Sequence, residues 1–235
     1  MLLCNEPVHS RARGPMLVAA ALVFGACTAP PTETEVRLAT QVVRQDFGST
    51  MGTLPVVPCN AQLNPCNALP VPDSRLKVTC DLSRMQCIGD LSVVVLYTLD
   101  LSQDAAFRAG LAQQSADSVR TIILSYGLSN TLTFSIPETE VHVGPKDIRT
   151  PRDPGVVPVG RIGPFAAGKD VPDESLQLVI DDGSPAHAFL VDRIANPERP
   201  FSFLLATTVP FRGGDPIPAG RLEVRLTPIV RLLKR

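Results

Sequence analysis

Twenty-three prolines punctuate this 235-residue chain, about twice the usual share. Proline removes a backbone donor and fixes φ, so it breaks helices and is confined to sheet rims and turns. In a chain so interrupted, many short strands joined by ordered loops are the expectation. The apolar pattern agrees from residue 75 onward. "RLKVTC" alternates Leu76, Val78 and Cys80, and "CIGDLSVVVLY" alternates Cys87, Leu91, Val93, Val95 and Tyr97. "VRTIILSYGL" (119–128) and "TLTFSIP" (131–137) read as two strands turning at "SN", with Leu132, Phe134 and Ile136 inward. After Pro137 the apolar phase moves to Val141 and Val143, which calls for a bend or bulge. "SLQLVI" (175–180), "PFSFLLATTVPF" (200–211) and "GRLEVRLTPIVRLL" (220–233) complete the strands. In the last of these, Arg221, Glu223 and Arg225 alternate with Leu222, Val224 and Leu226.

Two helices are expected. "LSQDAAFRAGLAQQ" (101–114) opens with Ser102 as a cap and is weakened by Gly110. "SPAHAFLVDRIANP" (184–197) has Ser184 as cap, Pro185 at the first helical position and Asn196-Pro197 as its stop. The stretch 144–168 reads as a crossing loop of low regularity. The fold class that follows is mainly β: an antiparallel β-sandwich with one or two short helices and a disulfide-containing N-terminal extension.

The start of the chain reads as an address. His9, Arg11 and Arg13 precede an apolar run over 15–26, far short of the ~20 residues a spanning helix needs. The run ends in "FGAC", Phe24 to Cys27, an apolar residue and two small ones before a cysteine. This resembles the lipobox of bacterial lipoproteins. The resemblance covers residues 1–27 and implies cleavage before Cys27, with acyl chains on the new first residue. Two or three chains hold a protein firmly where one does not. The start codon is open between Met1 and Met16. The expected organisation is a removed leader over 1–26, a lipid anchor and tether with a possible first strand over 27–57, and one sandwich domain over 58–235. "TAPPTETEV" reads as the tether. The expected location is the cell envelope, with the outer membrane favoured because Thr28 is not acidic.

Cys59, Cys66, Cys80 and Cys87 remain, in "CNAQLNPC" and "CDLSRMQC". An even count in an exported chain argues for two disulfides among three connectivities. Neighbour pairing, Cys59–Cys66 and Cys80–Cys87, is the favoured one. A four-thiolate zinc site is the rival, though six intervening residues are more than zinc knuckles use.

Little else carries chemistry. The net charge of −1 leaves no footprint for nucleic acid, and the chain has no Trp. No G-x-S-x-G elbow, phosphate loop or dinucleotide fingerprint is present. Glu138, Glu140 and His142 in "ETEVH" share one strand face and could hold a divalent ion, or could be the solvent face of an edge strand. Asp173, Glu174, Asp181 and Asp182 match no calcium loop, and Ser184 with His187 fits a helix start better than a catalytic pair. No catalytic residue and no cofactor is expected. The function expected is a membrane-tethered, partner-binding module, with an envelope protein as partner. The alternatives are a carboxylate-dependent hydrolase and a carrier of a small apolar ligand between the sheets.

Overall fold

The computed structural model describes residues 32–49, 52–69, 74–111 and 119–234. Among them, ten strands and one α-helix build two antiparallel sheets. The strands are β1 (Thr32–Arg37), β2 (Gln41–Asp46), β3 (Leu76–Asp81), β4 (Gln86–Leu99), β5 (Val119–Asn130), β6 (Thr139–Pro145), β7 (Val157–Ile162) and β8 (Val171–Ile180). Helix α1 (Pro185–Ala195), β9 (Phe201–Arg212) and β10 (Arg221–Lys234) follow. The first sheet runs β1-β10-β5-β8, with β2 also beside β10, and the second runs β3-β4-β9-β6-β7. The inner faces share one core, a β-sandwich as the alternation demands.

Long β4 shows why. Leu91, Val93, Val95, Tyr97 and Leu99 are buried, while Ser92, Val94 and Leu96 between them are exposed. Aromatic rings bind the layers to the helix: Tyr97 stacks on Phe203 at 6.2 Å, Phe203 meets Phe201 at 5.7 Å, and Phe201 meets Phe189 of α1 at 6.2 Å. A second run joins Phe211, Phe134 and Phe47, at 5.4 Å for each contact. The voids left between the sheets measure about 20 Å³ each, beside Tyr126 and Phe165 and beside Leu190 and Phe203.

β1 and β2 lie end to end along β10 and break at residues 38–40. Pro228 explains the break. Its carbonyl accepts from the Leu38 N–H at 2.9 Å, so its own missing N–H also faces this edge, where a continuous partner strand would need a donor. Other groups hold the gap: Ala39 N–H donates to Asp104 Oδ2 at 2.8 Å, and the Thr40 and Thr227 hydroxyls meet at 2.8 Å.

Several expectations need correction. Within 27–57, where a first strand is allowed, residues 32–37 are β1, paired along β10, so "TAPPTETEV" is strand and not tether from Thr32 onward. Ser129 and Asn130 are not a turn but the end of β5. Residues 131–137 make no continuous strand, although Leu132, Phe134 and Ile136 do point inward. Their backbone bonds go elsewhere: the Asn130 side chain accepts from Leu132 N–H at 2.8 Å, and Ile136 bridges to Phe165. The 144–168 loop contains β7, hydrogen-bonded to β6 with a register shift at Val141/His142, in the region where the phase change demanded one. The first expected helix is instead a 3-10 turn (Leu101–Gln103) and a π-turn (Phe107–Leu111). Asp100 rather than Ser102 caps the former, and residues 112–114 lie outside the described residues. Helix α1 has the expected Ser184 cap and first-position Pro185.

Candidate functional site

A concavity with a sheet floor lies on the outer face of the second sheet. It is an open groove of about 650 Å³. Ser92 and Val94 of β4 with Ala206 and Thr208 of β9 form the floor. Glu138 and Glu140 stand on one side, and the loop bearing Arg149, Thr150, Pro151 and Arg152 stands on the other.

That loop is built by local chemistry. Ile148 is buried and anchors it over Gly144, whose missing Cβ would lie 3.1 Å from the Ile148 side chain. Ser202 Oγ donates to the Lys146 carbonyl at 2.8 Å. The Asp153 carboxylate accepts from Arg149 N–H at 2.6 Å, from Thr150 Oγ at 2.7 Å and from Thr150 N–H at 3.0 Å. These donors, the Arg149 amide foremost, hold the Asp153 carboxyl below the usual Asp range. The turn is therefore fully supported above the ordinary Asp value of about 3.9 and weakens as pH falls through the lower folded value. In an NMR pH titration, the Arg149 and Thr150 amide shifts should stay constant down to about pH 4 and move only below it. Movement centred at neutral pH would contradict this account of the turn.

Glu138, Glu140 and His142 do share a face, but not on an edge strand: β6 lies between β9 and β7. Arg161 of β7 reaches both carboxylates, at 3.2 Å from Glu138 and 3.4 Å from Glu140. His142 is buried, with Nε2 3.3 Å from Glu140. A guanidinium thus occupies the side of the row where an ion would share the two carboxylates. Sequence reading did not nominate Arg149, Arg152 or Arg161. The cations of "IRTPRD" were visible, but their place over this sheet depends on the fold.

The four cysteines form Cys59–Cys80 and Cys66–Cys87, which corrects the neighbour pairing. Cys80 and Cys87 are direct cross-strand partners on the β3–β4 hairpin, as the alternation implied. Each bonds outward to the arm carrying Cys59 and Cys66. The arm is laid against the hairpin by Cys59 N–H to Met85 O at 3.0 Å and Cys87 N–H to Val57 O at 2.9 Å. Among the described residues, the one cluster of three metal-ligating side chains close enough to share an ion is Cys59, Cys66 and Cys80. With its sulfurs oxidised to disulfides, it offers no thiolates for zinc. Two such bonds fit an oxidising, exported compartment. Among the described residues no helix is long and apolar enough to cross a membrane. Cys27 lies outside the described residues.

The remaining candidates are scattered. Asp173 pairs with Arg225, which also meets Glu223 at 2.9 Å, and Glu223 meets Arg44 at 2.7 Å. This ladder crosses the outer face of the first sheet. Asp182 lies 3.6 Å from Arg120 and 3.6 Å from His187 Nδ1. Ser184 Oγ accepts from the His187 backbone N–H at 3.1 Å, so it acts as a cap and not as a partner of the ring. The His187 ring is buried with Nε2 unbonded. Asp181 and Asp182 stand in the turn after β8, away from Asp173 at its start. No protein-family model matches the chain, and no curated protein matches it.

Proposed function

We propose that this chain is a cell-envelope lipoprotein: a non-catalytic β-sandwich held at a membrane by acyl chains on Cys27, which acts by binding another envelope protein. The observation that carries the reading is the disulfide pattern. It consumes Cys59, Cys66, Cys80 and Cys87; of the two cysteines left, Cys4 falls within the leader and Cys27 stands at the end of "FGAC". The outer membrane is the favoured location. Two other readings receive less support. A hydrolase using Glu138 and Glu140 would have to release both from Arg161. A carrier of an apolar ligand needs an interior space of roughly 300 Å³ or more, against voids of about 20 Å³.

Metabolic labelling with a clickable palmitate analogue tests the anchor. The wild-type chain should be labelled and sediment with membranes. Cys27→Ala should lose the label and appear in the soluble fraction. Label persisting in Cys27→Ala would sink the anchoring claim.

A further inference from the structure

A sheet edge is a row of unpaired backbone donors and acceptors, and proteins blunt such edges with charge, proline, brevity or a cover. Three of the four edges here are blunted. β1 and β2 carry Glu33, Glu35, Arg37, Arg44 and Asp46, and are broken opposite Pro228. β3 has six residues, with Lys77 and Asp81, and Cys80 ties it to the Cys59 arm. β7 holds Pro158 and Arg161 and is packed by α1. The fourth edge, β8, is blunted only in its first half by Pro172, Asp173 and Glu174. Its second half, Ser175–Ile180 or "SLQLVI", has no charge and no proline. Among the described residues the one strand hydrogen-bonded to it is β5, which it pairs from Leu176 to Ile180, while β7 packs against the inward Leu178 through Gly160. Ser175 and Gln177 are exposed, and so are Leu176 at 37% and Val179 at 47%. An open apolar edge of this kind accepts an added strand.

The flanks choose the strand. In sequence, Asp173 and Glu174 precede the open stretch and Asp181 and Asp182 follow it; Asp173 also meets Arg225 and Asp182 also meets Arg120, and both carboxylates keep about 60% of their surface exposed to an incoming cation. Two copies of this edge, paired antiparallel, would oppose Asp173 and Glu174 of one to Asp181 and Asp182 of the other at both ends. Like charges placed opposite each other disfavour that pairing. A strand with basic ends meets complementary charge instead. We propose that the β8 edge docks an extended segment of another protein, with an uncharged apolar core of about six residues and Lys or Arg at both ends. This inference rests on the partner-binding reading and names the surface and the partner chemistry.

The test uses the full chain and three fluorescent peptides in anisotropy titrations. One has three Thr-Val repeats with two Lys at each end. The second replaces those Lys by Glu. The third keeps the Lys but carries N-methyl groups on the amides that would face β8. The first should bind, and the other two should bind about tenfold more weakly or less, because blocked amides lose their hydrogen bonds and Glu meets Asp. Val179→Lys and Gln177→Lys, each checked by an unchanged melting profile, should weaken the first peptide similarly. The N-methyl comparison needs no variant, so it decides the matter even if a substitution unfolds the chain. Equal binding of the N-methylated peptide, or no binding of the first at millimolar concentration, would overturn the proposal. So would a dimer that Val179→Lys dissolves, which would assign the edge to a second copy. If cross-links to an envelope protein persist while the peptides fail, the edge assignment is lost and the partner-binding reading stands.

Discussion

Phe203→Ala is expected to cost about 3–5 kcal/mol of folding stability, read as a lower urea midpoint with an unchanged slope. Phe203 is 1% exposed and sits in the middle of the ring run from Tyr97 to Phe189. Truncation removes its transfer free energy. It also leaves a hole that the flanking strands cannot close, because Val95↔Leu205 and Leu99↔Phe201 fix the register on either side. The hole lies beside the void already lined by Leu190 and Phe203, so the seating of α1 should loosen with the sheet. Val94→Ala is the control. It lies on the same strand pair but faces outward at 39% exposure, and should shift stability by about 0.5 kcal/mol or less. Equal effects from the two would show that this pair of sheets is not packed as described.

Removing either disulfide as a pair, Cys59→Ala with Cys80→Ala or Cys66→Ala with Cys87→Ala, is expected to cost about 3 kcal/mol. The bonds span 21 residues each and overlap, so each shortens the loop that the other closes, and the second removal should cost more than the first. The damage should be local. The cysteines and Val57, Leu69 and Val78 form a small apolar cluster of their own beside the main core. Limited trypsin digestion of the reduced chain should cut first at Arg75 and Arg84, while the segment from β5 to β10 resists. Peptide mapping of the oxidised chain checks the pairing directly, and a Cys59–Cys66 linked peptide would refute it.

The pairing shows where sequence reading stops. Matched spacings within "CNAQLNPC" and "CDLSRMQC" are local information, and they favour neighbours. The bonds seen instead join an arm to a hairpin, and nothing in the spacing encodes where the arm lies. The same division runs through the fold. Alternation in β4 and the Ser184–Pro185 start of α1 were legible because each is set by its own residues. β7 was not, because "VPVGRI" contains Pro and Gly and is a strand by virtue of pairing with β6. Residues 131–137 erred the other way: they have a strand's alternation, but only scattered backbone bonds, Thr131 to Arg221, Thr133 to Ala219 and Ile136 to Phe165, and no continuous ladder. In the groove, Glu138, Glu140 and His142 were placed on one face by period alone. Arg161 is opposite them only because of the β6–β7 register.

The position of β10 bears on the order of folding. It is the last strand in the chain and an interior strand of its sheet, holding β1 and β2 on one side and β5 on the other. Thr32 pairs with Lys234, so the first and last described residues are neighbours. As the chain emerges from its N-terminal end, β1 and β2 have no partner until β10 arrives. β3, β4, β6, β7 and β9 can assemble the other sheet by then. Such distant pairing makes folding slow, and the late closure keeps the sandwich open until β10 is present. A chain cut before Arg221 would lose the interior of one sheet and not merely its rim.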